Sequence, residues 1–186
     1  MALPSQRLDY RLTVSDVDRG VDVSRSLVVA QHPSETPEHV TLRVLAWCLL
    51  YEERLELGPG LCDGDAADLV ARDLTGAITT WVECGSADAD KVKKVLQHHA
   101  KVAVHAVLSE RRRIDELIAA VGSWKKRPGG GDLTIWSVDA ALVDALAARE
   151  ARRQTWTVTL VGGQCYLDAD GDMFEGAIGC LRPLQT

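Results

Sequence analysis

The stretch from Ala77 to Val107 constrains the chain more than any other. Ala77-Ile78-Thr79-Thr80-Trp81-Val82-Glu83 and Val102-Ala103-Val104-His105-Ala106-Val107 are rich in β-branched and apolar residues and read as strands. Between them, Asp88 to His99 has helical composition, with Val92, Val95 and Leu96 spaced for one buried face and Lys91, Lys93 and Lys94 mostly on the other. Two strands joined through a helix run parallel, because the crossover returns the chain to the same end of the sheet. Residues 77 to 107 therefore read as a β-α-β unit, and the chain as an α/β protein.

The flanking segments add antiparallel strands. Leu8 to Val14 and Val21 to Ala30 form a hairpin around the turn-forming run Ser15 to Gly20, and Asp68 to Arg72 pairs with Ala77 to Glu83 across Asp73-Leu74-Thr75-Gly76. Leu133 to Trp136 is a short strand, and Thr155 to Val161 with Gln164 to Leu167 form a closing hairpin. Helices are expected from about 35 to 56, from Ser109 to Val121 with Ser109 as cap, and from Asp139 to Arg149. In the first, Ser34 or Thr36 can cap and Pro37 suits the first turn. Its Leu42, Leu45 and Leu49 form a stripe while Val40, Val44, Trp47, Cys48 and Tyr51 line much of the rest, so it is covered on more than one side. Gly58-Pro59-Gly60 stops it, and Leu61 to Ala66 is a turn-rich connection. The 186 residues suit a single domain over 1–186, with a curved mixed central sheet flanked by helices.

Charge and thiol content narrow the function classes. A net charge of −6 argues against coating nucleic acid by bulk electrostatics. Lys91, Lys93, Lys94, Lys101, Arg111 to Arg113 and Lys125 to Arg127 can still make a local basic face that binds nucleic acid. Five cysteines without a C-x-x-C pair fit neither a disulfide framework nor a zinc knuckle, which points to reduced thiols and the cytoplasm. No segment approaches the roughly 18 apolar residues of a membrane helix, and no membrane association is expected. Asp168-Ala169-Asp170-Gly171-Asp172 echoes a calcium loop but has Met173 where the turn glycine is required, so it reads as a hairpin turn. Cys84, beside Glu83 on an apolar strand, reads as a core thiol.

The chemistry-bearing feature is acidic. A turn centred near Thr75 sets Asp68 opposite Glu83 at one end of the hairpin. Glu35 and Glu38, in line with the leucine stripe, bring a third carboxylate within reach. Three inward carboxylates repel one another unless protonation or a divalent cation neutralises them, and oxygen ligands select Mg²⁺, Mn²⁺ or Ca²⁺.

Several blocks occur in one order: His32-Pro33-Ser34-Glu35-Thr36 with Glu38, Leu42-Arg43-Val44-Leu45-Ala46-Trp47, Glu53-Arg54-Leu55, Gly60-Leu61-Cys62, Trp81-Val82-Glu83 with Gly85, and Lys93-Lys94. In these blocks the chain resembles the YaeQ family of small bacterial proteins, most densely from 26 to 95. That family is similar in fold to the PD-(D/E)XK nucleases, which implies a restriction-endonuclease-like topology and a site around Mg²⁺ or Mn²⁺. Carried over, the resemblance makes Glu38 or Glu35 the helix acid, with Glu38 preferred, Asp68 the strand acid and Glu83 the first residue of the last element. Ala67 replaces the motif proline, and Gly85 stands where the lysine belongs. Lys91 and Lys94 on the following helix are the nearest substitutes, since a flexible stem brings an ammonium to a site from a neighbouring element. The functions implied are a divalent-metal-dependent nuclease or phosphodiesterase or, without catalysis, a nuclease scaffold that binds nucleic acid or a protein partner.

Overall fold

The computed structural model describes residues 5–59, 65–99 and 101–184, so the expectations for Gly60, Leu61 and Cys62 lie outside the described residues. Among the described residues, ten strands form one mixed, strongly curved sheet. In chain order they are β1 (Gln6–Asp16), β2 (Val21–Gln31), β3 (Glu56–Leu57), β4 (Leu69–Arg72), β5 (Ile78–Cys84), β6 (Ala103–Leu108), β7 (Asp132–Val138), β8 (Arg153–Val161), β9 (Gln164–Ala169) and β10 (Asp172–Leu181). Across the sheet the order is β2-β1-β8-β9-β10-β7-β6-β5-β4-β3. The helices are α1 (Pro37–Leu50), α2 (Ala89–His98), α3 (Arg111–Gly122) and α4 (Ala140–Ala147).

The expected β-α-β unit is present. β5 and β6 pair in parallel, with Trp81 beside Val104, and α2 crosses between them with Val92, Val95 and Leu96 buried. The hairpin before it has the expected register, with Leu69 opposite Val82 and Val70 opposite Trp81. Two hydrophobic cores result. α1 touches β1, β3, β5 and β6, lies inside the curve of the sheet, and packs beside α4. Every residue of α1 from Val40 to Leu50 is buried, as expected of a helix covered on several sides. α2 and α3 cover the other side of β6 through Leu96, Leu117 and Val121.

Three expectations are corrected. The first helix ends at Leu50 instead of near 56: Tyr51 leaves helical geometry, and the Trp47 indole donates to the Leu55 carbonyl at 3.2 Å. That bond folds the chain back so that Glu56 and Leu57 pair with β4. α3 starts after Glu110, with no side-chain capping bond, so Ser109 is not its cap. Finally, the expected turn at 168–172 is there, with Asp170 at φ 54° and the Gly171 N–H donating to Asp168 Oδ1 at 2.7 Å, but it leads into a tenth strand that sequence patterning missed.

β10 joins the two halves of the sheet. Asp172 to Ala177 pair with β9, while Ile178 to Leu181 pair with β7. Gly176 lies where α4 crosses this strand, and a Cβ there would stand 2.9 Å from the Leu142 Cβ. Gly176→Ala should therefore destabilise the protein by about 1–3 kcal/mol through overpacking, read as a lower urea midpoint; an unchanged midpoint would mean that α4 does not sit tightly on β10.

Candidate functional site

The first turn of α1 and the open end of the β4-β5 hairpin meet in a buried ionic cluster. Thr36 is the N-cap of α1, its hydroxyl accepting from the His39 N–H at 3.3 Å, so Glu35 precedes the helix. Glu35, His39 and Arg43 are spaced by four and share one side. Glu35 Oε1 lies 2.7 Å from His39 Nδ1 and accepts from Arg43 Nη1 at 3.0 Å. On the hairpin side, His39 Nε2 is 3.5 Å and Arg43 Nε 3.7 Å from Asp68 Oδ1. The other Asp68 oxygen accepts from the Cys84 N–H at 2.7 Å, and the Asp68 N–H donates to the Val82 carbonyl at 2.9 Å, so Asp68 spans the position of Glu83.

Glu83 is held from its own strand and from α2. Its Oε1 accepts from the Trp81 indole at 2.6 Å and lies 2.8 Å from Lys91 Nζ. The same ammonium donates to Glu83 Oε2 at 3.1 Å and to the Ala66 carbonyl at 2.9 Å. Lys91 sits in the first turn of α2, where its backbone N–H donates to the capping Asp88 side chain at 2.8 Å.

Three carboxylates thus face three cations. Burial alone would lower the His39 pKa, but hydrogen bonds to Asp68 and Glu35 and their charges outweigh it and raise the pKa to about 9. The Glu35 pKa is lowered: burial opposes this, and the His39 hydrogen bond with the Arg43 charge prevails. The Glu83 pKa is raised, because burial exceeds the opposing effects of Lys91 and Trp81. Exposure is graded: the Glu35 side chain is 0% and Arg43 2% exposed, against 13% for Asp68, 18% for His39 and 22% for Lys91. Access from solvent is therefore at the Asp68, His39 and Lys91 edge.

Of the residues singled out in the sequence, Glu35, Asp68, Glu83 and Lys91 come together. Glu38 is exposed on α1, because it lies one position before His39 and so about 100° around the helix from the side that His39 and Arg43 share, and Glu35 takes the helix position instead. Lys94 is exposed on α2. His39, Arg43 and Lys91 face these carboxylates and compensate their charge within the chain. Among the described residues, no group of three or more His, Cys, Asp or Glu side chains is arranged to hold a metal. His39 and Arg43 were missed, although their spacing from Glu35 was visible. Cys84 is a buried thiol whose pKa is raised well above its ordinary value by burial and then by Asp68. On the proposed basic face, Arg111 pairs with Asp115, Arg112 with Glu116 and Arg113 with Glu110.

Gly85 explains why no lysine follows Glu83 on the strand. Its φ is +72°, a conformation L side chains rarely adopt, and a Cβ would stand 3.2 Å from the His39 ring. Gly85→Lys should cost about 1–2 kcal/mol of stability, and an unchanged urea midpoint would contradict the strain. The raised His39 pKa also sets a pH dependence. Its contribution is fully present below its ordinary pKa of 6.5 and lost as pH rises through about 9. In EDTA, unfolding free energy should fall in that window by at most about 1.4 kcal/mol per pH unit, and His39→Gln should flatten it. A window equally steep in the variant would remove His39 as the cause.

The YaeQ protein family model matches residues 1–177. The chain is 30% identical over 179 residues to the uncharacterized protein YaeQ of Escherichia coli K12, covering 94% of each. It is 29% identical over 171 residues to that of Salmonella typhi, covering 90% of each. The crystal structure of YaeQ from Xanthomonas axonopodis pv. citri superposes with a TM-score of 0.84 at 28% identity, over 95% of this chain and 97% of that one. YaeQ from Pseudomonas syringae superposes with a TM-score of 0.81 at 29% identity, over 97% of each. The match of fold and sequence over nearly the whole length makes the chain a member of the YaeQ family.

Proposed function

We propose that the chain is a divalent-metal-dependent phosphodiesterase of the nuclease type, with Asp68 and Glu83 as ligands for Mg²⁺ or Mn²⁺. The observation that carries this reading is the Lys91 ammonium 2.8 Å from Glu83, the position left empty of a lysine on the strand by Gly85. The donor chemistry fits. Mg²⁺ is bound through one or two carboxylates, with waters and substrate phosphate completing its shell, so a third protein ligand is not required. Bound there, the ion would lower the pKa of a water and offset charge on the phosphodiester.

The chain's own residues account for the rest. Lys91 would orient the attacking water and balance charge on the phosphoryl oxygens, and His39 would do the latter from the opposite side of Asp68. Glu35, tied to Arg43, would position His39 without contacting substrate. The free thiols Cys48, Cys84, Cys165 and Cys180 suit a reducing compartment and hence a cytoplasmic role. No described helix is long and apolar enough to cross a membrane.

The internal charge balance favours a second reading, a non-catalytic nuclease scaffold that binds nucleic acid or a protein partner and whose cluster is structural. Calorimetry separates the two. Mn²⁺ should bind the wild type and fail to bind Asp68→Ala and Glu83→Ala, while Lys91→Ala should keep the metal and lose hydrolysis on the order of 10²–10³-fold. Substrates should include single-stranded, duplex and branched DNA and RNA with Mg²⁺ and Mn²⁺. Unchanged Mn²⁺ affinity in both carboxylate variants rejects the ligands, and a protein inert on every substrate leaves the scaffold reading.

A further inference from the structure

A groove of about 800 Å³ lies between α2, α3 and the segment 123–128 that follows α3. It is on the other flank of α2 from the ionic cluster, because Lys93, on its wall, stands two residues beyond Lys91 and therefore about 160° around the helix from it. The segment 123–128 is anchored at its far end. Pro128 is buried, and Arg127 donates to the Gly131 carbonyl at 2.8 Å and pairs with Asp132. A Cβ on Gly129 would stand 2.0 Å from the Leu96 carbonyl oxygen, so this backbone rests directly on the end of α2. Lys125 and Lys126 are thereby held, exposed, at the edge of the groove. Trp124 is half-buried against the second hydrophobic core, and the Lys93 ammonium lies 5.9 Å from its ring centre, so ring and ammonium line the groove together.

The groove is positive although the chain as a whole is negative. Its ionisable lining is Lys93, Lys125, Lys126 and Arg127 against Asp90. Arg127 is taken by Asp132, whereas among the described residues Lys93, Lys125 and Lys126 form no ion pair. Three unpaired ammoniums lining one groove repel one another, and an anion that spans them relieves the repulsion. Trp124 adds a flat apolar surface beside them. Negative charges alternating with flat rings are the repeat of a single-stranded nucleic acid, while a duplex keeps its ring faces inside the stack and an acidic peptide has none. Asp90, Gln97, Lys125 and Lys126 are exposed, so the groove covers a ligand on one side only. That suits a chain passing over the surface better than a small molecule, which needs most of its own surface buried.

We propose that this groove binds single-stranded nucleic acid, with phosphates at Lys93, Lys125 and Lys126 and a base stacked on Trp124. The Lys93 stem is flexible enough to move its ammonium from the ring to a phosphate. The site rests on neither reading of the ionic cluster, and its test is run in EDTA, where metal-dependent hydrolysis does not occur.

Fluorescence anisotropy of a labelled oligothymidylate of about 12 nucleotides is followed with the full chain at about 50 mM salt. Binding should saturate and be at least about tenfold tighter than to a duplex of the same length or to polyglutamate. Lys125→Ala combined with Lys126→Ala should weaken it and lower the slope of log affinity against log salt by about 0.7 for each lysine removed. Trp124→Leu, which keeps apolar bulk against the core but has no stacking face, should weaken it about tenfold, and Trp124→Phe should restore most of the loss. The lysine variant is altered only at exposed positions, so it tests the site even where Trp124→Leu lowers the melting temperature. Four results would overturn the proposal: no saturable binding of the oligonucleotide, equally tight binding of duplex or polyglutamate, unchanged affinity in the lysine variant, or thymidine monophosphate competing as well as the oligonucleotide.

Discussion

Arg43 is the constraint on which the arrangement of this protein depends. It lies in the middle of the apolar helix α1, 1% exposed, and is among the largest fully buried side chains. A guanidinium cannot be left unpaired in such surroundings, and removal of either partner of a buried pair is far more costly than the pair is stabilising. Its partners therefore fix the structure around it. Nη1 donates to Glu35 before the helix, Nη2 to the Gly58 carbonyl at 2.8 Å, and Nε faces Asp68. One side chain thereby ties the start of α1, the strand β3 region and the β4-β5 hairpin into one unit.

That unit divides the carboxylates by role. Glu35, closed to solvent and held by Arg43 and His39, anchors the cluster. Asp68 stands toward the exposed side and Glu83 is buried behind Lys91, and the cations facing these two carboxylates, His39 and Lys91, are partly exposed. Charges that solvent can reach exchange partners at lower cost than buried ones, because water replaces part of the lost interaction. Any incoming cation or anion would therefore act at Asp68, His39 and Lys91 before it disturbed Glu35 and Arg43.

How far this was legible in the sequence depended on whether local or distant contacts decide each feature. The β4-β5 register followed from the turn and the alternation of side chains, which is why Asp68 and Glu83 could be placed together. Choosing between Glu35 and Glu38 required the tertiary contacts themselves, since Glu35 precedes the Thr36 cap and is brought into the cluster by its bonds with His39 and Arg43. A charged residue between Thr41-Leu42 and Val44-Leu45 was itself a sign of buried pairing, which a search for carboxylates alone passed over. The early end of α1 was not visible, because the Trp47 to Leu55 bond that causes it is tertiary. β10 was obscured by Gly176 and Gly179, which weaken a strand pattern but are required where α4 and Ser137 approach the backbone.

Lys91 shows how a charge can be kept while the backbone that carries it changes. On a strand, a lysine two positions after Glu83 would share its face. Here β5 ends at Cys84, Gly85 turns the chain in the left-handed conformation, and the first turn of α2 returns an ammonium to Glu83. A lysine on a separate element has more freedom to lose, and Trp81 removes part of it. Trp81, two residues before Glu83 and on the same face, donates its indole N–H to the carboxylate, while Lys91 Nζ lies 5.7 Å from its ring centre. Indole, carboxylate and ammonium thus form one contact, to which the Ala66 carbonyl adds a further acceptor. Three fixed acceptors and an aromatic surface hold the stem of Lys91 where a solvated helix lysine would sample many rotamers.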